Sequence, residues 1–316
     1  MELEIKKQIL HPEGINNGVM VCDTEKCISC GLCVKNCPFK CWELDQECHP
    51  RLKQDYRCFS CFNCMVACPQ GAISIGSQYS VESGNYFDTG FPELKEPAEA
   101  KDASGEPVGW NELERLIFNR RSVRNFSKKE VPKPLIERIL EAGRFCPSGG
   151  NHQPWKFTVV TNREYIRQLD ERLYEFWRSI YHLYTEEEHA MKLLDTEPVG
   201  VFDPRVQGGM KSIVSRELPV LFDAPLIIFI ACNNKFTDPE IHAGICGQTM
   251  SLVAASLGLG SCWCGFSRVI NAIPEIKKEL GFEGDWQLYA ALCIGYPAFK
   301  QFGQVPRHAR PVRWIT

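Results

Sequence analysis

The chain has 316 residues, a formal net charge of −3 and 44% hydrophobic residues. That length can bury one large core and one small one, and the near-neutral balance excludes the basic surface that nucleic acid or an anionic membrane calls for. Seventeen cysteines exceed what packing needs, and they are unevenly spread: eleven lie between Cys22 and Cys68, six between Cys146 and Cys293. The opening "MELEIKKQILHPEG" lacks the apolar stretch of a secretory signal, so a reducing cytoplasm, in an anaerobic organism given the thiol load, is the expected setting.

In chain order the first feature is a repeated phrase. "CISCGLCVKNCP" begins at Cys27 and "CFSCFNCMVACP" at Cys58, each with the spacing C-x2-C-x2-C-x3-C-P. Three thiolates this close wrap one face of an iron cube, and the turn leaves the fourth badly placed, so it reaches the other cluster. Cys27, Cys30, Cys33 and Cys68 are therefore expected to hold one 4Fe-4S cluster, and Cys58, Cys61, Cys64 and Cys37 the second. Structural zinc gives no account of such crossing. Cys22, Cys41 and Cys48 fall outside the phrases; since eight cysteines suffice for two clusters they read as structural or free thiols, with extra ligands as the alternative. Residues 21–76, including the closing "GAISI", resemble the bacterial two-cluster ferredoxin family, departing from it by the longer charged connection "FKCWELDQECHPRLKQDY".

Residues 1–80 thus form a candidate ferredoxin-like domain. A Gly-, Pro-, Ser- and acid-rich stretch over 81–110 reads as a connector, and residues 111–316 as a larger α+β domain. Within it, "NELERLIFNRR" predicts a helix with Leu113, Leu116 and Ile117 on one face, and "VPKPLIERILEAGRF" a second, packed through Leu135, Ile139 and Leu140. "WKFTVVT" and "LIIFIAC" are strand-like, and Ile245–Leu257 predicts a buried helix. "LYAALCIG" fits a strand or a buried helix. "FDPRVQGGMKSIV" reads as a loop, with a role in shaping substrate access as the alternative, and the aromatics from Tyr174 to Tyr184 as packing at helical spacing, with a lid as the alternative. The uncharged run from Gly244 to Ser267 is long enough for a membrane span but lacks aromatic and basic flanks, so a buried helix and a glycine-rich turn are expected instead.

Two further phrases carry chemistry. "NRRSVRNF" sets Arg120, Arg121 and Arg124 around Ser122, and guanidinium forks of this kind suit phosphate; alone, a solvated basic turn reads as well. "CPSGGNHQPWKF" offers Asn151 as donor and acceptor for a planar ring edge, with Gly149 and Gly150 allowing close backbone approach; alone, a rigid loop reads as well, with His152 satisfied by backbone and proton donation to substrate as its alternative. Cys232, Cys246 and Cys293 sit in apolar runs as core residues, and Cys262 and Cys264 flank Trp263 in the glycine-rich segment, where burial is expected and a redox-active C-x-C pair is the alternative.

Together with "GLGSCWCGF" and "IGYP", these phrases over residues 112–316 resemble the nitroreductase family of FMN enzymes. The resemblance implies a homodimer whose flavins lie at the subunit interface. Carried over by residue, it makes Arg120 and Ser122 phosphate or ribityl contacts, with Arg121 acting through its backbone. Arg124 is the positive charge near the flavin N1 and O2, Asn151 the ring-edge amide, and Pro147, Ser148 and Gly149 the loop from the other chain. Cys264 and Gly265 pass the N5 and O4 side, and Arg310, with Arg307 in reserve, serves the phosphate. Arg124 and Cys264 are the candidate catalytic residues. Cys264 departs from relatives that carry an acidic residue there.

The function expected from both halves is an FMN-dependent oxidoreductase that gathers electrons through two 4Fe-4S clusters and passes two-electron equivalents to a small organic acceptor. NADH or NADPH at the flavin, or a ferredoxin or other redox protein at the clusters, is the expected donor. An electron carrier or flavin reductase is the alternative, and neither nucleic acid nor membrane is an expected partner. No "GxGxxG" stands in the strand-to-helix setting of a dedicated dinucleotide domain.

Overall fold

The structure is a computed structural model that describes residues 19–54, 56, 58–76, 101–106, 109–194, 196, 201, 203–305 and 313–316. Arg307, Arg310 and most of the 81–110 connector lie outside the described residues. The chain divides into two compact units: one runs up to Arg120 and takes in the residues from Lys300 onward, the other spans Arg121–Phe299.

In the cysteine-rich unit, β1 (Val19–Cys22) is followed by α1 (Leu32–Asn36), β2 (Trp42–Leu44), β3 (Pro50–Leu52), α2 (Asn63–Val66) and β4 (Ile73–Gly76). β1 pairs antiparallel with β4, setting Cys22 opposite Ile73, and β2 pairs antiparallel with β3. The sequence repeat is also a backbone repeat. Ser29 and Ser60 both have φ of 52°, and Gly31 and Phe62, which precede α1 and α2, have φ of 66° and 59°. Left-handed backbone at a phenylalanine is uncommon, and it stands at the same place in the second loop as Gly31 in the first. Met20, Trp42, Val66, Ala67 and Ile73 form the small apolar centre, and the Asn36 side chain donates to Asn63 O at 3.0 Å across the two halves. α3 (Glu112–Asn119) starts at a reciprocal cap in which Asn111 and Glu114 bond each other's backbone N–H. Among the described residues its stripe is only partly covered, with Leu113 58% and Ile117 43% exposed.

In the second unit the elements are α4 (Lys133–Arg144), β5 (Trp155–Val160), α5 (Arg163–Ile180), α6 (His182–Thr185), α7 (Glu187–Leu193), α8 (Pro204–Val214), β6 (Leu226–Asn233), α9 (Pro239–Ser256), β7 (Gly260–Trp263), α10 (Pro274–Glu279) and β8 (Trp286–Gly295). The sheet order is β5-β6-β8-β7, every pair antiparallel. β6 is buried from Leu226 through Cys232 because both faces are covered, so its sequence does not alternate. Leu226, Ile228, Ile230 and Cys232 face one core with Ile136 and Ile139 of α4 and Met250 and Ala254 of α9. A Cβ at Gly143 would meet Met250 at 2.1 Å, so glycine sets the close approach of α4 to α9.

The two expected helices and two expected strands form, and "LYAALCIG" belongs to strand β8. Three local readings change. Residues 204–214, expected as a loop, are helix α8: Asp203 caps it by accepting from Arg205 N at 2.9 Å, Pro204 occupies the first turn, and Met210 and Ile213 are buried. The expected helix at Ile245 begins at Pro239. The glycine-rich turn after it leads into edge strand β7, not a continuous loop. Among the described residues, no helix is long and apolar enough to cross a membrane.

Candidate functional site

The cysteine loops present the same hydrogen bonds twice. Ser29 N–H donates to Cys27 Sγ at 3.4 Å and Ser60 N–H to Cys58 Sγ at 3.3 Å. Cys41 N–H donates to Cys37 Sγ at 3.4 Å and Ala72 N–H to Cys68 Sγ at 3.3 Å. Backbone donors aimed at sulfur favour the thiolate, the form that binds metal.

The thiols also group as two crossed sets. Cys37, Cys58, Cys61 and Cys64 line one pocket with Met20, Phe39, Cys41, Phe59 and Phe62, around some 260 Å³ of empty space that includes open solvent. Burial pushes Cys64 well up, and its charged neighbours are Cys61, Cys37 and Cys58. Around Cys33 the neighbours are instead Cys68, Cys30 and Cys27, and burial raises its pKa to about 11. Cys68 thus stands with the first phrase and Cys37 with the second. Among the described residues, no three His, Cys, Asp or Glu side chains converge on one ion. A four-iron cube does not ask for convergence, because each thiolate takes a different iron and the sulfurs stay apart around the cube. One buried donor fits such a group: Trp42 Nε1 faces the Cys64 thiol, whose pKa it lowers, and makes no other hydrogen bond among the described residues. The residues present therefore fit two iron-sulfur clusters.

In the second unit, the segment after Arg121 is laid along the sheet. Ser122 bridges Ser261 of β7, Val123 N–H donates to Ser261 O at 3.0 Å, and Ser127 N–H to Tyr296 O at 2.8 Å. Gly260 makes this possible, since a Cβ there would meet Val123 at 2.7 Å. Arg124 lies over the Phe222 ring, 5.9 Å from its centroid. Arg120 ends α3 in the other unit, its N–H donating to Leu116 O at 2.9 Å.

The loop after α4 is exposed at Pro147, Gly149 and Asn151. Its shape is set by Asn151 N–H to Ser148 O at 2.9 Å and Gln153 N–H to Ser148 Oγ at 2.9 Å, with Gly150 and Asn151 at φ of 56° and 55°. Gln153 Nε2 reaches Asn151 Oδ1 at 3.2 Å. The backbone N–H of Gly149 donates to Nε2 of His242 on α9 at 3.3 Å. His242, buried and unremarked in the sequence reading, stands in a helix pattern that signals only packing.

Cys264 is 2% exposed, and its Sγ donates to Val220 O at 3.0 Å. A side-chain hydrogen bond from Cys293 lowers its pKa. The side chain is thus turned inward, and the exposed part of this segment is Gly265. Asp170 of α5, also missed from sequence, accepts from Leu221 N–H at 2.6 Å, and burial raises its pKa to about 6. His152 is exposed and rests against Phe236, ring centroids 5.1 Å apart. Trp177, within the aromatic run, is buried and donates to Phe266 O at 3.0 Å.

Comparison with known proteins agrees with this division. Models of 4Fe-4S binding domains match residues 23–43 and 55–71, and the nitroreductase family model matches residues 117–296. An NADH dehydrogenase of Thermus thermophilus is 29% identical over 206 residues, covering 63% of this chain and 92% of that protein. A 4-nitrobenzoate reductase of Nocardioides is 25% identical over 198 residues, 57% of this chain and 78% of that one. The fold also matches a crystal structure of a nitroreductase with bound FMN from Desulfitobacterium hafniense, with TM-score 0.51, 23% identity, and coverage of 66% of this chain and 100% of that one. With a single family model spanning more than half its length and the two iron-sulfur matches ahead of it, the chain belongs to the nitroreductase family and carries a ferredoxin-like domain at its N-terminal side.

Proposed function

We propose that the protein is an iron-sulfur flavoprotein oxidoreductase, loaded with two 4Fe-4S clusters and FMN, that delivers two-electron or hydride equivalents to a small conjugated acceptor such as a nitroaromatic or a quinone. The observation that carries this reading is the crossed grouping of eight cysteines, with backbone N–H donors on Cys27, Cys58, Cys37 and Cys68, in one chain with a nitroreductase fold. When bound, the clusters supply one-electron steps and the flavin couples them to two-electron chemistry.

The chain's own residues bind and bias that cofactor. Arg120, Arg121 and Ser122 hold the phosphate end by charge-assisted hydrogen bonds, and a monophosphate suffices because no adenine-binding domain is evident. Arg124 keeps a fixed positive charge for an anionic reduced ring, a stabilising role that moves no proton. Asn151 meets the ring edge with both donor and acceptor, and Cys264 with Gly265 contributes backbone, since the thiol is occupied with Val220 O. The exposed loop of Pro147, Ser148 and Gly149 serves the second copy of a homodimer, a role supported by Phe145, 82% exposed just before it. Arg310, with Arg307 in reserve, completes the phosphate site in this proposal. NADH or NADPH at the flavin, or a reduced ferredoxin at the clusters, supplies the electrons.

Elemental and flavin analysis of anaerobically purified protein tests the composition. About eight iron and eight sulfide per chain, four of each per cluster, are expected with one noncovalent FMN. Zinc in place of iron, or flavin adenine dinucleotide in place of FMN, would contradict the proposal.

A further inference from the structure

The pocket lined by Cys37, Cys58, Cys61 and Cys64 contains a fifth thiol, Cys41, which is 2% exposed. A four-iron cube offers four corners, and the repeated phrase already fills them. The repeat itself shows what Cys41 adds. Cys27 and Cys58 stand 31 residues apart, as do Cys41 and Ala72, and Trp42 and Ile73. Cys41 and Ala72 give their crossing cysteine the same backbone bond, N–H to Sγ at 3.4 and 3.3 Å. Only Cys41 brings a side-chain donor besides, and only Trp42 brings an N–H where the other half has a hydrocarbon.

We propose that Cys41 donates its S–H to the ligand sulfur of Cys37 and so raises the reduction potential of the centre bound by Cys37, Cys58, Cys61 and Cys64, with Trp42 a second donor to the same centre. This rests on the two-cluster reading. Cys41 Sγ lies 3.7 Å from Phe39 O in the pocket that Cys37 also lines, and the backbone N–H of the same residue already meets Cys37 Sγ at 3.4 Å. A metal-bound thiolate carries charge that a carbonyl lacks, so the single S–H turns to Cys37 once the centre is loaded. Reduction adds negative charge to the cube, and donors to its sulfurs stabilise the reduced form more than the oxidised one. The effect is large where water does not compete, which is the setting of a buried thiol. The other set also has a neighbouring thiol, Cys22 beside Cys27, but Cys22 is only half-buried.

The test replaces Cys41 by the residue of the equivalent position, Cys41→Ala, with Cys41→Ser as the variant that keeps a donor, in the full-length holoprotein. Iron and sulfide are measured first, and the two cluster potentials are then followed by EPR-monitored redox titration. The expected result is unchanged iron and one of two steps shifted to more negative potential in Cys41→Ala, with a smaller shift in Cys41→Ser. The step that moves is the one altered by Cys61→Ser. Two unmoved steps would overturn the proposal, and so would loss of about half the iron, which would make Cys41 a ligand. Absence of iron from the unmodified protein would instead defeat the two-cluster reading itself.

Discussion

The backbone N–H of Gly149 donates to Nε2 of His242 at 3.3 Å, so an imidazole on α9, 8% exposed, holds the loop that bears Ser148 and Asn151. Accepting at Nε2 places the ring proton on Nδ1, which is buried without a partner among the described residues. His242→Ala removes the acceptor while leaving the loop residues in place. FMN affinity should fall by about 1 to 2 kcal/mol, roughly five- to thirtyfold. Fluorescence titration checks this, and unchanged affinity would show that the loop holds its shape without His242.

Arg120 and Arg124 should each contribute charge-assisted contacts to the flavin. Changing either to alanine is expected to weaken FMN by about 1.5 to 3 kcal/mol. The two should differ in character. The Arg120 change acts on retention of the phosphate, whereas Arg124→Ala should also lower the potential of the bound flavin by removing a charge near the reduced ring. Equilibrium titration together with flavin potentiometry separates them.

The crossed thiols predict which signal a given cysteine controls. Cys68→Ala should remove the centre that also needs Cys27, Cys30 and Cys33, although Cys68 lies in the second phrase. Cys61→Ala should remove the other one. Each variant should keep about half the iron, with complementary EPR signals. If both variants lost the same signal, each phrase would hold its own cluster and the crossing would be wrong.

Asp170 gives a pH dependence of known sign. Burial raises its folded pKa from 3.8 to about 6, so its favourable contribution is complete below the unfolded value and is lost as pH rises through the folded one. The span corresponds to about 3 kcal/mol at most. Asp170→Asn keeps an oxygen for Leu221 N–H without the charge. It should gain stability over the parent at pH 7.5 and lose that advantage near pH 4, as read by denaturant unfolding.

The cysteine spacing made the small unit legible, because the repeated phrase carries its own turn geometry and matches 4Fe-4S binding domain models over 23–43 and 55–71. Helix α4 and strands β5 and β6 were legible from periodicity and from a wholly apolar run. Helix α8 was hidden by Gly208 and Gly209, whose low propensity is overridden by the Asp203 cap and by burial of Met210 and Ile213. β7 was hidden because four residues paired only at a sheet edge carry no period of their own. His242, Asp170 and the bonding of Cys41 to Cys37 depend on partners far away or on local turns, and residue type alone announces none of them.

If the clusters load the flavin under reduced ferredoxin, as proposed, anaerobic stopped-flow spectroscopy shows the order of events. The unmodified holoprotein is compared with a Cys30→Ala, Cys61→Ala double variant that retains FMN, following cluster and flavin absorbance. Cluster absorbance should fall first and flavin absorbance second, and flavin reduction by ferredoxin should be lost in the double variant while direct reduction by dithionite persists. Flavin reduction by ferredoxin at an equal rate in both proteins would contradict that loading.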